Sequence, residues 1–234
     1  FLAALDCITG YGAKVTASDE ISSADFDTLN ATTTKDIVAQ GGIKDVAAKF
    51  SATNGTTTAT LTAIKAQDGD AKITISDVSN VAQFDTVNDA TSTAVVLEGG
   101  VSDVAAKFAD TDGTTTSSLT AIKAQDGDAV ITISDAATVA QFNTVDDATS
   151  SNVVLTGGVT DLAVKFAATN GTTTSGLTAI KAQDGDAVLT ISDEANAAQF
   201  DTVNDATSAN VALAGGIKDV AAKFSATNGT TTAT

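Results

Sequence analysis

A block of eleven residues, Leu-Thr-Ala-Ile-Lys-Ala-Gln-Asp-Gly-Asp-Ala, occurs three times in this chain at a constant spacing of 58 residues. The copies begin at Leu61, Leu119 and Leu177. A fixed period of this size is typical of repeat proteins, in which each unit packs on its neighbours. The same spacing continues upstream in weaker form. The sequence therefore divides into a diverged first repeat, 1–60, and three regular repeats, 61–118, 119–176 and 177–234.

The composition removes most catalytic chemistry. The chain has no histidine, which is the usual general base at neutral pH and the commonest metal ligand. Its single cysteine, Cys7, excludes an internal disulfide and a cysteine-based zinc site. We therefore predict that the protein is not an enzyme.

The charge is strongly and evenly negative. Twelve basic residues stand against 29 acidic ones, which gives a formal net charge of −17. Such a surface repels nucleic acid and anionic membranes, and it attracts divalent cations. No apolar run is long enough to cross a bilayer. We expect no nucleic-acid partner and no membrane span, and because the chain starts at Phe1 rather than Met we also expect a longer precursor.

The third repeat predicts the local structure of the others. The alternation over 119–124 indicates a short strand, and Asp126-Gly127-Asp128 suits a tight hairpin turn. The β-branched run over 129–133 then predicts a second strand, paired antiparallel with the first.

The second half of the same repeat changes period. Val139, Phe142 and Val145 lie three residues apart, which predicts a helix with an N-cap at Ser134-Asp135. A third strand is predicted over 152–155. A second helix is predicted over 159–166, because its apolar residues follow the i, i+3, i+4, i+7 pattern. The predicted repeat is β-β-α-β-α.

The small core of one repeat indicates how the repeats are arranged. Each regular repeat has two Phe residues and many Ala residues, so a 58-residue unit lies near the lower size limit for independent folding. Packing against the next unit would bury its open faces. We therefore predict an α/β solenoid of four stacked repeats, and the alternative is a row of all-β, immunoglobulin-like beads.

Three segments of the repeats resemble a known class of protein. They are Val-Ser-Asp-Val-Ala-Ala-Lys-Phe at 101–108, Leu-Thr-Ala-Ile at 119–122 and Ile-Thr-Ile-Ser-Asp at 131–135. Their order resembles the repeats of giant secreted bacterial surface proteins, which are often grouped with calcium-dependent haemolysin-type adhesins (the RTX-associated class). The calcium-binding nonapeptide Gly-Gly-x-Gly-x-Asp of that class is absent, so the resemblance implies a secreted structural repeat.

Paired aspartates are the candidate metal ligands. Each regular repeat has an Asp-Gly-Asp sequence, and calcium prefers carboxylate and carbonyl oxygens. An acidic residue farther along each repeat, Asp77, Asp135 or Asp193, is placed to add a ligand. The other interpretation is a hairpin turn followed by a helix N-cap. The predicted calcium ligands are Asp68, Asp70, Asp126, Asp128, Asp184 and Asp186.

The two ends of the array lead to the functional prediction. Residues 215–234 are identical to residues 41–60, and the latter run directly into Leu61. Two hypotheses stay open: the chain is a slice of a longer array, or its end docks head-to-tail onto another copy. We predict an extracellular filament, sheath or adhesin stalk on a bacterial surface. The alternative is a calcium-dependent adhesion or glycan-binding module.

Overall fold

The computed structural model describes residues 14–224, which form two compact units of mixed α/β structure. The first unit contains the chain up to Ser102 together with Thr120–Val130. The second contains Asp103–Leu119 and the chain from Ile131 onwards. Both units are built from three-residue strands alternating with short helices.

The strands are β1 Val15–Ala17, β2 Ile37–Ala39, β3 Ile43–Asp45, β4 Ile73–Ile75, β5 Val95–Leu97, β6 Val101–Asp103, β7 Ile131–Ile133, β8 Val153–Leu155, β9 Val159–Asp161, β10 Leu189–Ile191 and β11 Val211–Leu213. The helices are α1 Ser23–Thr32, α2 Ala47–Phe50, α3 Ala59–Gln67, α4 Val81–Asn88, α5 Ser117–Gln125, α6 Val139–Asp146, α7 Ala163–Phe166, α8 Ser175–Gln183, α9 Ala197–Asn204 and α10 Ala221–Phe224. A 3₁₀ turn covers Ala105–Lys107.

Every paired strand in the first unit is parallel to its neighbour. Strands β1 and β2 form one pair, and β3, β4 and β5 form a sheet in that order. In this sheet Ile43, Ile73 and Val95 lie side by side, and all three are fully buried. Parallel strands require a crossover, and α4 supplies it between β4 and β5.

The second unit repeats this design. Strand β7 pairs in parallel with β8, and β9, β10 and β11 form a parallel sheet with β10 in the middle. The crossover between β7 and β8 is α6, and that between β10 and β11 is α9. The two units therefore contain the same strand–helix–strand element.

Capped helices and buried phenylalanines form the interior. Helix α6 begins with a capping box, in which the Thr138 hydroxyl accepts from the Gln141 N–H and the Gln141 side chain accepts from the Thr138 N–H. Phe142 on this helix is fully buried, as is Phe166 on α7. Helix α4 also begins with a capping box, with Asn80 as its N-cap, and its Phe84 is buried. The prediction of a helix from Val139, Phe142 and Val145 is confirmed, but its N-cap is Thr138 rather than Ser134-Asp135.

The strand predicted over 119–124 is wrong, because this segment belongs to helix α5. Its counterpart α3 explains why. The Thr58 hydroxyl accepts from the Leu61 N–H and caps the helix, and the buried Leu61 and Ile64 lie on one face. Ala, Leu, Lys and Gln also favour helix. The apparent alternation came from a spacing of three between Leu and Ile.

Two further predictions are corrected by this change. Asp126-Gly127-Asp128 follows the end of a helix and is not a hairpin turn, and strand β7 pairs in parallel rather than antiparallel. The helix predicted over 159–166 is in part strand β9, Val159–Asp161, and only Ala163–Phe166 is helical. The helices in both units also rule out all-β, immunoglobulin-like beads.

Among residues 14–224, no helix has the length and apolar character needed to cross a membrane.

Candidate functional site

The first aspartate of each Asp-Gly-Asp sequence covers the edge of a strand. In the first unit, Asp68 Oδ2 accepts from the Ala39 N–H at 2.6 Å, and Asp126 Oδ2 accepts from the Leu97 N–H at 2.5 Å. In the second unit, Asp184 Oδ2 accepts from the Leu155 N–H at 2.7 Å. Each carboxylate thus satisfies a strand N–H that no neighbouring strand pairs.

The glutamine before two of these aspartates adds a second bond to the same strand. Gln125 Oε1 accepts from the Val95 N–H at 3.2 Å, and Gln183 Oε1 accepts from the Val153 N–H at 3.3 Å. The helix end Gln-Asp therefore takes the place of a paired strand. Its side chains hold an edge strand that lies about 30 residues earlier in the chain.

The second aspartate of each pair is exposed and lies beside the first. Burial is the largest cause that raises the pKa of Asp126, and the neighbouring Asp128 carboxyl raises it further. The same two causes raise the pKa of Asp68 beside Asp70 and of Asp184 beside Asp186. The structure thus brings the two predicted ligands of each pair together, next to a buried strand edge.

The acidic residues predicted to complete the calcium site have another role. Asp77 Oδ1 accepts from the Ala47 N–H, Asp135 Oδ1 from the Ala105 N–H and Asp193 Oδ1 from the Ala163 N–H, each at 2.6 Å. In each case the carboxylate holds the first turn of a short helix or 3₁₀ segment that lies 30 residues earlier.

Within residues 14–224, no group of three or more His, Cys, Asp or Glu side chains is arranged to hold a metal ion. Calcium binding at the six predicted aspartates stays a prediction, and its test is a thermal melt with and without millimolar calcium. Bound calcium would raise the melting temperature, since a ligand that binds only the folded state stabilises it. An unchanged melting temperature would discard the calcium site. Magnesium at the same concentration is the control for ionic strength.

The raised pKa values predict an unusual pH dependence. A folded-state pKa above the unfolded value of 3.8 means that the folded chain binds these protons more tightly. Acidification from neutral pH towards 3.8 therefore neutralises the first aspartate of each pair, and its contribution to the free energy of unfolding rises.

We expect the triple variant Asp68→Asn, Asp126→Asn, Asp184→Asn to be more stable than the parent at pH 7. Its amide oxygens can still accept from the strand N–H groups, and the charge repulsion is gone. The stability advantage of the variant should narrow as the pH falls towards 3.8, because Asp68, Asp126 and Asp184 of the parent protonate at their raised pKa values. Urea unfolding of both proteins across this range measures it. A variant that is less stable at every pH would show that the strand edges require a charged acceptor.

A third aspartate position, at the end of a strand, was not predicted from sequence. Asp45 Oδ2 accepts from the Ser23 hydroxyl at 2.5 Å, and Asp161 Oδ2 accepts from the Val139 N–H at 3.0 Å. Burial disfavours ionisation of Asp45, but the bonds from Ser23 and the Val46 N–H outweigh it and lower its pKa. This carboxylate therefore stabilises the fold at neutral pH, and that contribution is lost as the pH falls through its folded-state pKa.

Shallow grooves recur at equivalent positions in the two units. One, of about 460 Å³, lies between α3 and α4 and is lined by Thr62, Lys65 and Thr86. Its counterpart, of about 350 Å³, lies between α8 and α9 and is lined by Thr178, Lys181 and Thr202. In each groove the lysine donates to a backbone carbonyl, at 2.7 and 2.8 Å.

Two features of the sequence lie outside the described residues. They are Cys7 and Gly10-Tyr11-Gly12, the segment that aligns with Asp-Gly-Asp in the first repeat.

No family model matches the sequence, and comparisons with curated proteins and with solved structures find no match.

Proposed function

We propose that this chain is a structural, extracellular repeat protein that builds a filament, sheath or adhesin stalk on a bacterial surface. The observation that supports it most is the repeated use of aspartates as structural acceptors. In each unit, carboxylates hold backbone N–H groups that lie 22 to 30 residues away along the chain. The acidic residues of the repeat thus hold together segments that are distant in the sequence.

In this proposal the four repeats stack into one continuous α/β solenoid. The side-chain bonds from Gln125, Asp126, Gln183 and Asp184 give a means by which one repeat holds the next. Because every regular repeat carries the same residues at these positions, the arrangement can continue without limit. In this proposal the protein acts by forming a long array of repeats rather than by binding a ligand in a pocket.

Assembly follows from the same logic. A repeat that presents one face to its predecessor and a different face to its successor makes a heterologous contact, and such contacts propagate as filaments. The net charge of −17 keeps the sides of such a filament apart from one another and from anionic surfaces. The location outside the cell rests on the resemblance of the repeats to those of secreted bacterial surface proteins.

Negative-stain electron microscopy of the purified chain tests the proposal. We expect filaments or rods whose length grows with protein concentration. Uniform compact particles at every concentration would contradict assembly by this chain. A variant carrying Phe224→Asp at the end of the described chain is the control, because a charge at an apolar contact should shorten the filaments.

A further inference from the structure

Two asparagine–glycine sequences lie in exposed turns between helices. Asn54-Gly55 lies between α2 and α3 of the first unit, and Asn170-Gly171 lies between α7 and α8 of the second. Both asparagines are exposed. Because glycine has no Cβ, its backbone nitrogen can reach the side-chain carbon of a preceding asparagine, so this pair is prone to spontaneous deamidation. A third Asn-Gly sequence, at 228–229, lies outside the described residues.

The first of these turns holds its reacting groups with hydrogen bonds. The Gly55 N–H donates to the Ala52 carbonyl at 2.9 Å. Asn54 Oδ1 accepts from the Thr56 N–H at 3.0 Å. The Gly55 carbonyl accepts from the Thr86 hydroxyl on α4 at 2.8 Å. Deamidation needs the Gly55 nitrogen to lose its proton and to approach the asparagine side chain, so the turn must open before it can react.

The second turn repeats this arrangement in the second unit. The Gly171 N–H donates to the Ala168 carbonyl at 2.8 Å. Asn170 Oδ1 accepts from the Thr172 N–H at 3.0 Å. The Gly171 carbonyl accepts from the Thr202 hydroxyl on α9 at 2.6 Å. In both turns a helical threonine therefore holds the glycine whose nitrogen would attack.

The second repeat shows that an aspartate fits the same turn. It has Asp112-Gly113 at this position, and Asp112 Oδ1 accepts from the Thr114 N–H at 2.9 Å. The Gly113 carbonyl accepts from the Thr144 hydroxyl at 2.6 Å, as the glycine carbonyls do in the two asparagine turns. The bond from the Thr114 N–H also lowers the pKa of Asp112. An ionised aspartate therefore keeps this turn.

We propose that Asn54 and Asn170 are sites of spontaneous deamidation by water, and that the threonine bonded to each following glycine controls the rate. The glycine nitrogen gives its proton to water and forms a bond to Cγ of the asparagine. The side-chain nitrogen takes up a proton and leaves as ammonia, which produces a succinimide ring. Water then opens the ring by breaking one of the two bonds between the ring nitrogen and its carbonyl carbons.

The two products differ in what they do to the turn. If the new bond to Cγ breaks, the product is aspartate, which fits the turn as Asp112 does. If the bond to the backbone carbonyl carbon breaks, the product is isoaspartate, whose main chain runs through the former side chain and is one carbon longer. The oxygen that accepted from the N–H after glycine then belongs to the main chain. We expect this product to release the turn from its helix.

The test follows the reaction in the whole chain at mildly alkaline pH, by digestion after lysine and mass spectrometry. Each Asn-Gly sequence lies in its own lysine-bounded peptide, so the sites are measured separately. We expect Asn54 and Asn170 to react in the folded chain roughly tenfold to a hundredfold more slowly than in urea, because opening breaks the hydrogen bonds of the glycine. Asn30 is the control, because Ala31 follows it within helix α1, and it should not react over the same period.

Threonine-to-valine variants test what controls the rate. Thr86→Val should accelerate the reaction of Asn54 roughly fivefold, because the glycine loses one hydrogen bond. It should leave the reaction of Asn170 unchanged, and Thr202→Val should accelerate Asn170 alone. The variant Asn54→Asp should match the parent in amide hydrogen exchange at Gly55, whereas the isoaspartyl chain should exchange this amide faster.

Three results would overturn the proposal. Equal rates in the folded chain and in urea would show that the turn gives no protection. No conversion in the folded chain over about a hundred half-lives of the reaction in urea would show that these asparagines are not modification sites. Acceleration of both sites by one valine variant, or of neither site, would show that the threonine bond does not control the rate. Because the reaction needs no assembly, none of these results bears on filament formation.

Discussion

Replacing Phe166 by alanine should lower the free energy of unfolding by about 3–5 kcal/mol. The ring is fully buried where α7 packs on helix α8. Its carbonyl also accepts from both the N–H and the hydroxyl of Thr174, the residue before α8, so the cavity would open where α7 packs on α8. Urea unfolding followed by circular dichroism measures the change.

Phe224→Ala is the matched control, since it makes the same substitution one repeat later. Phe224 is already partly exposed, so its loss should cost less than about 1 kcal/mol in a monomeric chain. Equal losses for the two variants would contradict the difference in packing between the buried Phe166 and the partly exposed Phe224. Equal losses that appear only at high protein concentration would instead show that assembly buries Phe224.

The second large effect is expected for Gly158→Ala. Gly158 has a φ of +73°, where an L-residue is strained by about 1–2 kcal/mol. An added Cβ would also overlap the Val188 carbonyl oxygen, which already accepts from the Val159 N–H. The backbone before strand β10 must move to accommodate it. We expect a total loss of about 3–5 kcal/mol, measured by urea unfolding.

Gly216→Ala separates the backbone strain at positive φ from the overlap of the added Cβ with a neighbouring carbonyl. Its φ of +78° is nearly the same, but no atom lies within 4 Å of the position that a Cβ would take. This variant should therefore show the conformational cost alone, about 1–2 kcal/mol. A loss as large as that of Gly158→Ala would mean that backbone strain, and not contact with the next repeat, determines the requirement for glycine.

Some of the fold could be predicted from sequence because its signals are local. The helix at Val139, Phe142 and Val145 has an apolar spacing that only a helix brings to one face. The β-branched residues of Ile131–Ile133 favour strand wherever they lie. The repeated Phe positions were also predicted to form the core, and the six from Phe26 to Phe166 are fully buried, whereas Phe200 and Phe224 are partly exposed.

Other elements could not be assigned locally. The residues at 119–124, which lie in helix α5, also fit the alternation of a strand. The Thr residue that caps this type of helix lies before the repeated block, so the block itself carries no helix-start signal. Val159–Asp161 fits a helical pattern, but pairing of β9 with β10, thirty residues later, selects strand. The parallel arrangement depends on these two assignments, so the antiparallel hairpin was wrong as well.

The role of the aspartates was hidden for a related reason. Asp184 and its partner Leu155 lie 29 residues apart, and no sequence pattern connects a carboxylate to one strand amide. Sequence reasoning identified the paired acids but read them as turn residues or metal ligands. The one available clue was their invariant position after a Gln at the end of the repeated block.

The most direct test of the central claim is urea unfolding of a variant that lacks residues 119–176. The deletion removes one whole repeat and joins Ser118 to Leu177. Ser117-Ser118 then precedes this Leu-Thr-Ala-Ile sequence, as it precedes the one at Leu119 in the parent. If the repeats share one interior, the variant should unfold in a single transition with a smaller denaturant dependence and a lower midpoint. An unchanged midpoint would show that the repeats fold independently, and would contradict the account.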